Sequence, residues 1–107
     1  MRSLRKARDF ERVYRSGRRA SRDGLTIVVA PGAIGEPSRV GLAVPGRVGG
    51  AIVRNRVRRR LREATRACGL APGYDVVVRA SEELVGKNFQ DIVRHMDAAL
   101  TDAGVGG

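Results

Sequence analysis

The segment from residue 53 to residue 66 carries the side chains of this 107-residue chain that are best suited to binding a polyanion. It reads VRNRVRRRLREATR and holds seven arginines and one acid. Guanidinium groups grip phosphate oxygens in pairs and stack on bases, so this density of arginine indicates nucleic-acid binding. At about 100° per residue the segment is an amphipathic helix, with Asn55, Arg59, Arg62 and Arg66 opposite its apolar stripe and Arg56 and Arg58 on the shoulders.

The apolar stripe must hold this helix in place. It consists of Val53, Val57, Leu61, Ala64 and Cys68. Repulsion between neighbouring arginines costs about 1–3 kcal/mol in total at low salt. Burial of Val57 and Leu61 returns about 1.5–3 kcal/mol each. We therefore expect a helix fixed by its stripe, with its arginines turned outward.

Charge is unevenly distributed along the chain. The net charge is +10, but residues 1–66 hold 18 Lys and Arg against 5 Asp and Glu, whereas residues 67–107 hold 3 against 6. No acid occurs between Glu36 and Glu63. Such asymmetry predicts a polyanionic partner.

Residues suited to catalysis are scarce. His95 lies beside the apolar stripe of the last helix and is expected to be a surface or half-buried residue and not a general base. Cys68 lies on the stripe of the basic helix, where it is expected to pack. One histidine and one cysteine cannot form a zinc site. The segment GLAVPGRV has the glycine spacing of a P-loop, but Arg47 and Val48 replace its lysine and hydroxyl. We expect no catalytic residue in the protein and no metal ion bound tightly by it.

The elements predicted from periodicity and turn signals form one domain. They are a helix over 7–17, strands over 18–22, 24–30 and 39–44, the basic helix over 51–68, a strand over 74–80 and a helix from the cap Asn88 to Gly104. The order helix–β–β–β–helix–β–helix predicts the α/β class, as an α+β two-layer sandwich with a small mixed sheet. Residues 1–103 are the expected domain and 104–107 a flexible tail.

Two aromatic side chains accompany the basic residues of the first helix. Phe10 and Tyr14 lie one turn apart. They are suited either to filling the core or to stacking on single-stranded bases.

Nothing in the chain points to a membrane or an oxidising compartment. No apolar run approaches the length of about 18 residues that a membrane span needs. The first residues lack the apolar segment of a signal peptide, and one cysteine forms no internal disulfide. We expect a cytoplasmic protein.

The stretch RVGLAVPGRVGGAIVRNRVRRRLREATR resembles the signature of the bacterial ribonuclease P protein subunit. Arg54, Asn55 and Arg56 match the RNR box of that family, and Arg58, Arg59 and Arg62 match the basic positions that follow it. LRKARDFERVYRSG resembles the first helix of the family, with Phe10 and Tyr14 at its aromatic positions, and GYDVVVRA resembles the strand after the RNR helix. The resemblance covers residues 4–100.

The resemblance implies a function and a set of site residues. The family's protein joins a catalytic RNA that cleaves precursor tRNA to form the mature 5′ end, and Mg²⁺ is held mainly by the RNA. The protein is thus part of an endonuclease only within the holoenzyme, with one protein per RNA. The implied ribonuclease P RNA-binding residues are Arg54, Asn55, Arg56, Arg58, Arg59 and Arg62. Those implied for the leader of precursor tRNA are Phe10, Tyr14, Ile27 (or Leu25) and Arg47. A left-handed β–α–β crossover is also implied.

Three other functions compete with this interpretation. A non-catalytic RNA-binding module, such as a ribosomal protein, would have the same composition, and only the RNR signature separates the two hypotheses. A DNA-binding regulator would need a positioning helix and tight turn before the basic helix, where RVGLAV predicts a strand. A membrane-surface helix would need Trp, Phe or a run of Leu on its apolar side. We therefore expect neither a DNA nor a membrane partner.

Overall fold

The computed structural model describes residues 1–106 as a five-stranded sheet with three helices. In chain order the elements are β1 (Arg2–Ser3), α1 (Ala7–Ser16), β2 (Arg18–Arg22), β3 (Leu25–Pro31), β4 (Arg39–Ala43), α2 (Ala51–Cys68), β5 (Tyr74–Ala80) and α3 (Phe89–Asp102). The predicted α/β class is confirmed, and α2 and β5 have the bounds that the sequence predicted.

The sheet is mixed and has the order β1-β4-β5-β3-β2. β3 pairs antiparallel with β2 and β5, whereas β4 pairs parallel with β5 and with β1. Helix α2 joins the parallel strands β4 and β5, as a β–α–β unit requires. The left-handed sense of that crossover stays a prediction. The short strand β1 was not predicted.

Helices cover both faces of the sheet, so the protein has three layers where the sequence predicted two. Alternation along β3 turns Ile27 and Val29 toward the larger core, which α2 and α3 cover. Val28 and Ala30 belong to the smaller core on the other face, beneath α1. The two faces are therefore packed by different helices, and they carry different surfaces.

Helix α1 lies very close to the sheet because two glycines leave room for it. At Gly17, which ends the helix, an added Cβ would lie 2.7 Å from Cγ1 of Val28. At Gly41 it would lie 2.5 Å from the ring of Phe10. Gly17 has an extended backbone, with φ of −84°, so the close approach, and not a left-handed turn, explains the glycine at this end of the helix.

The end of the chain is packed against the domain, so the predicted flexible tail is wrong for residues 104–106. Val105 is fully buried. Its carbonyl oxygen accepts a hydrogen bond of 3.0 Å from the Ala71 N–H, and Gly106 forms a β-bridge with Leu70. Gly107 lies outside the described residues. The predicted cap of α3 is confirmed, since the Asn88 side chain accepts from the Asp91 N–H at 2.9 Å.

A buried carboxylate ties three elements together. The Asp75 side chain in β5 is only 2% exposed. Arg39 in β4 donates to it from Nε at 2.9 Å and from Nη2 at 2.8 Å, and Arg12 in α1 donates to it as well. The hydrogen bond from Arg39 holds the pKa of Asp75 below its ordinary value, against the opposing effect of burial, and Arg12 adds to the lowering. Asp75 thereby fixes α1 on the sheet.

No helix within residues 1–106 is both long enough and apolar enough to cross a membrane.

Replacing Asp75 with asparagine should lower the free energy of unfolding by about 2–3 kcal/mol at pH 7. Loss of the charge leaves two guanidinium groups without their counter-ion, and the amide NH2 replaces one of the two oxygens that accept their hydrogen bonds. The loss stays moderate because the side chains of Arg12 and Arg39 are 41% and 39% exposed and are partly rehydrated. Urea unfolding measures the difference, and Asp97→Asn, at an exposed position, is the control that should change stability by less than about 0.5 kcal/mol.

The effect of Asp75→Asn should depend on pH in one direction. Because the pKa of Asp75 is lowered in the folded state, its stabilisation is complete above the unfolded-chain value of about 3.9. It is lost as the pH falls through the folded-state pKa. The stability difference between wild type and variant should thus shrink below about pH 4. The measurement is made at about pH 7, 5 and 3, on both sides of the unfolded-chain pKa. An equal stability difference at all three values would show that the ionised carboxylate is not the source of the difference.

Candidate nucleic-acid interface

Helix α2 is attached to the domain by one narrow side. Val57, Leu61 and Ala64 are at most 5% exposed, and Val53 and Cys68 at the two ends are half-buried. Thr65 is also fully buried, which the apolar stripe alone did not predict. Its hydroxyl donates to the Leu61 carbonyl oxygen at 2.7 Å, so the buried polar group is satisfied within the helix.

The other side of α2 presents arginine to solvent. Among the predicted RNA-binding residues, Asn55, Arg56, Arg59 and Arg62 are exposed, and Arg54 and Arg58 are half-buried. Within residues 1–106, no arginine of α2 forms an ion pair with a carboxylate. The structure therefore brings the six predicted residues together on one helix, with their charges uncompensated.

Two contacts hold parts of this surface in a defined arrangement. The Oδ1 atom of Asn55 accepts a hydrogen bond of 3.0 Å from Nη1 of Arg58, which leaves the remaining donors of that guanidinium group free. Arg54 lies against the turn that precedes α2, and its buried Nε has no hydrogen-bond partner.

The aromatic residues of α1 lie between core and surface. Phe10 and Tyr14 are both half-buried and pack against the smaller core. The guanidinium carbon of Arg19 in β2 lies 5.7 Å from the centre of the Tyr14 ring, a cation–π distance. Each ring thus packs on the sheet with part of its surface and leaves part exposed, so the two interpretations of the aromatic pair are compatible.

The prediction that Ile27 contacts the leader is wrong. Ile27 is fully buried in the larger core, on the face of the sheet opposite α1, and the alternative Leu25 is buried on the same side. The residue of β3 that shares the α1 face with Val28 is Thr26, which pairs with Arg79 of β5. Because all residues from 27 to 30 are apolar, the run shows no alternation from which the exposed face could be read.

Thr26, Arg79 and Arg19 extend the surface beside α1. Thr26 and Ser21 are hydroxyl neighbours at 3.2 Å across the β2–β3 pair. Arg79 also pairs with Ala43 at the end of β4. These residues were not predicted, because the sequence alone does not show which strand positions face α1. Arg47 is exposed in a single 3-10 turn, Gly46–Val48, between β4 and α2.

Cys68 and His95, for which the sequence indicated no catalytic role, are both half-buried. The Cys68 thiol donates to the Val93 carbonyl oxygen at 3.6 Å, and burial raises its pKa. Nε2 of His95 lies 3.7 Å from a carboxylate oxygen of Asp23. Across residues 1–106, no three His, Cys, Asp or Glu side chains are grouped closely enough to hold a metal ion.

Comparison with known proteins adds independent findings. The family model described as Ribonuclease P matches residues 1–104. The ribonuclease P protein component of Beutenbergia cavernae is 40% identical, over 95% of this chain and 87% of its own, and that of Streptomyces bikiniensis is 42% identical, over 91% and 87%. The structure of the Staphylococcus aureus RNase P protein superposes with a TM-score of 0.88 at 21% identity, over all of this chain and 99% of that one. Since the family match spans the same strands and arginine helix that form the surface described above, this chain belongs to the ribonuclease P protein family.

Proposed function

We propose that this chain binds the catalytic RNA of ribonuclease P and the 5′ leader of precursor tRNA, and so promotes the cleavage that forms the mature 5′ end of tRNA. The observation that carries the proposal is the outward side of α2. Its arginines have no carboxylate partner within residues 1–106, and the opposite side of the helix is packed into the core. The proposal assigns hydrolysis and Mg²⁺ to the RNA and no catalytic residue to this chain.

The outward arginines are suited to a folded RNA because their helix is fixed to the core. Guanidinium groups can also contact phosphates independently of base sequence. A guanidinium group makes paired, charge-assisted hydrogen bonds to phosphate oxygens. Each phosphate neutralised also releases counterions, which makes the affinity depend on salt. Family membership favours this partner over the general RNA-binding module considered from composition alone. The cytoplasmic location and the ratio of one protein per RNA stay predictions.

The α1 surface is suited to a single strand. Phe10 and Tyr14 offer two ring faces one turn apart, and stacking of an unpaired base on an aromatic ring is worth about 1–3 kcal/mol. Arg19 and Arg79 place positive charge beside those rings. A single strand could stack its bases on the rings and place its phosphates on the arginines. The leader of a precursor tRNA therefore fits this surface better than a duplex does.

Reconstitution tests the function directly. The chain is mixed with its cognate ribonuclease P RNA and a precursor tRNA at low Mg²⁺, and release of the 5′ leader is followed against RNA alone. We expect the chain to stimulate cleavage because its charge offsets repulsion between the two RNAs. Failure to stimulate cognate RNA would reject the proposal.

Arg59→Gln should weaken binding to the catalytic RNA by about tenfold and reduce the slope of log affinity against log salt by about one. Arg59 is exposed at the middle of the α2 surface, so its loss removes a phosphate contact and leaves the fold intact. Filter binding or fluorescence anisotropy at several salt concentrations measures both values. The control is Arg94→Gln on α3, at an arginine whose side chain is 74% exposed. An equal loss in both variants would show that only net charge matters.

Phe10→Leu and Tyr14→Leu should weaken binding of precursor tRNA to the holoenzyme by about tenfold and leave the affinity for mature tRNA unchanged. Leucine keeps the apolar contact with the core but removes the stacking face. The quantity measured is the ratio of the two dissociation constants, since a general loss of structure lowers both affinities and leaves their ratio fixed. Tyr74→Leu, at a half-buried tyrosine beside the larger core, is the control. An unchanged ratio in the α1 variants would reject the leader assignment.

A further inference from the structure

A second concentration of arginine lies beside α2, in a groove between that helix and the N-terminal strand. The groove encloses about 220 Å³. Five arginines line it, two from the N-terminal segment and three from α2, above a floor of β4: Arg2, Arg5, Arg58, Arg62 and Arg66, over Val40 and Leu42. We call these five residues the arginine groove. Arg2, Arg5 and Arg66 are not among the RNA-binding residues that the family resemblance implies.

The N-terminal wall of the groove is fixed in place. The Arg2 N–H donates to the Ser38 carbonyl oxygen at 3.0 Å, and the Leu4 N–H donates to the Val40 carbonyl oxygen at 2.9 Å. The Leu4 side chain is only 3% exposed. Since the backbone on both sides of Ser3 is anchored, Arg2 and Arg5 are held against α2.

The α2 wall is a regular row of charge. Arg58, Arg62 and Arg66 are four residues apart, so they lie on one side of the helix at steps of about 6 Å along its axis. The row is therefore about 12 Å long. It matches an extended ligand with several negative groups better than a single small anion.

The charge of the groove is almost uncompensated. Arg2 has a carboxylate neighbour, Glu36, at 3.6 Å, but both side chains are more than half exposed and such a pair contributes little. No ion pair involves the other four arginines within residues 1–106. A concave surface of one sign focuses its field and concentrates counterions. The groove thus has the electrostatics of a phosphate-binding site.

The groove is also continuous with neighbouring surfaces. It shares Met1 and Arg66 with a second cleft of about 450 Å³ that Pro37, Leu70 and other residues line. It shares Arg58 and Arg62 with the RNA-binding surface of α2. An extended ligand with regularly spaced negative charges, running from the α2 surface into the groove, would fit this arrangement.

We propose that the arginine groove holds successive phosphates of an RNA strand, with Arg2, Arg5 and Arg66 as binding residues. This inference rests on the proposed function and extends the RNA contact from the outward side of α2 around to the edge of the sheet at β1. The contact is made to the backbone and is independent of base sequence.

The test compares variants that remove positive charge from different places, with a double variant as the control for the double variant in the groove. Arg2→Gln/Arg5→Gln and Arg66→Gln are compared with the control Arg22→Gln/Arg94→Gln, whose arginines are exposed on β2 and α3. Affinity for the cognate ribonuclease P RNA is measured at several salt concentrations. We expect the first double variant to bind at least tenfold more weakly with a slope lower by about two, Arg66→Gln to lower the slope by about one, and the control to keep the wild-type slope. Thermal unfolding should be unchanged, because these side chains are exposed.

The outcomes separate this proposal from the function on which it rests. If Arg59→Gln weakens RNA binding but the groove variants bind like the control, the groove proposal is overturned and the function stands. If the wild-type chain does not bind the RNA, both are overturned. Thermal unfolding is also measured with and without inorganic tripolyphosphate. If the groove variants lose the stabilisation by tripolyphosphate but bind the RNA as well as the control does, the groove is a small-anion site and the RNA assignment is overturned.

Discussion

The packing of the apolar side of α2 against the sheet is the interaction on which the rest of the structure depends. Seven arginines within one 18-residue helix oppose its formation by about 1–3 kcal/mol. Val57, Leu61 and Ala64 are nearly or fully buried, and each of the two larger side chains contributes about 1.5–3 kcal/mol. Burial therefore outweighs repulsion without help from carboxylates. Because the buried side is narrow, the greater part of the helix surface stays available for a partner.

Asp75 is the one buried carboxylate within residues 1–106, and no acid in that range forms an ion pair with an arginine of α2. Asp75 binds Arg12 and Arg39 and so joins α1 to the sheet, while Asp102 pairs with Arg22 and Asp91 with Arg94. An ordinary solvated helix surface would carry both signs of charge, with partners at i+4. Arg12 and Arg39, which hold α1 on the sheet, are thus paired with a carboxylate, whereas the arginines of α2 are not. This difference distinguishes a polyanion-binding surface from a merely soluble one.

The sequence predicted those features that are encoded locally. The helical period of α2, the compact strand β5 and the Asn88 cap depend on residues within a few positions of one another, and all three agree with the structure. The errors concern contacts between distant segments. β1 exists because of its pairing with β4, and residues 104–106 are ordered by contacts with Leu70 and Ala71. The face of Ile27 was misassigned because residues 27–30 of β3 are all apolar and buried, so this run does not alternate between polar and apolar residues.

The sheet places the two proposed RNA surfaces on opposite faces, and this constrains how one ribonucleoprotein can use both. α1, with its aromatic pair, packs on one face, and α2 packs on the other. The chain passes from β1 to α1 through residues 4–6, at the edge of the sheet where Arg5 lines the groove beside α2. At that edge the N-terminal segment lies beside the arginine row of α2 and continues directly into the first turn of α1. β1 has just two residues, but its pairing with β4 fixes the backbone that carries Arg2 and Arg5 at this edge. An RNA strand held in the arginine groove, as proposed, would therefore run along the edge of the sheet that leads to α1.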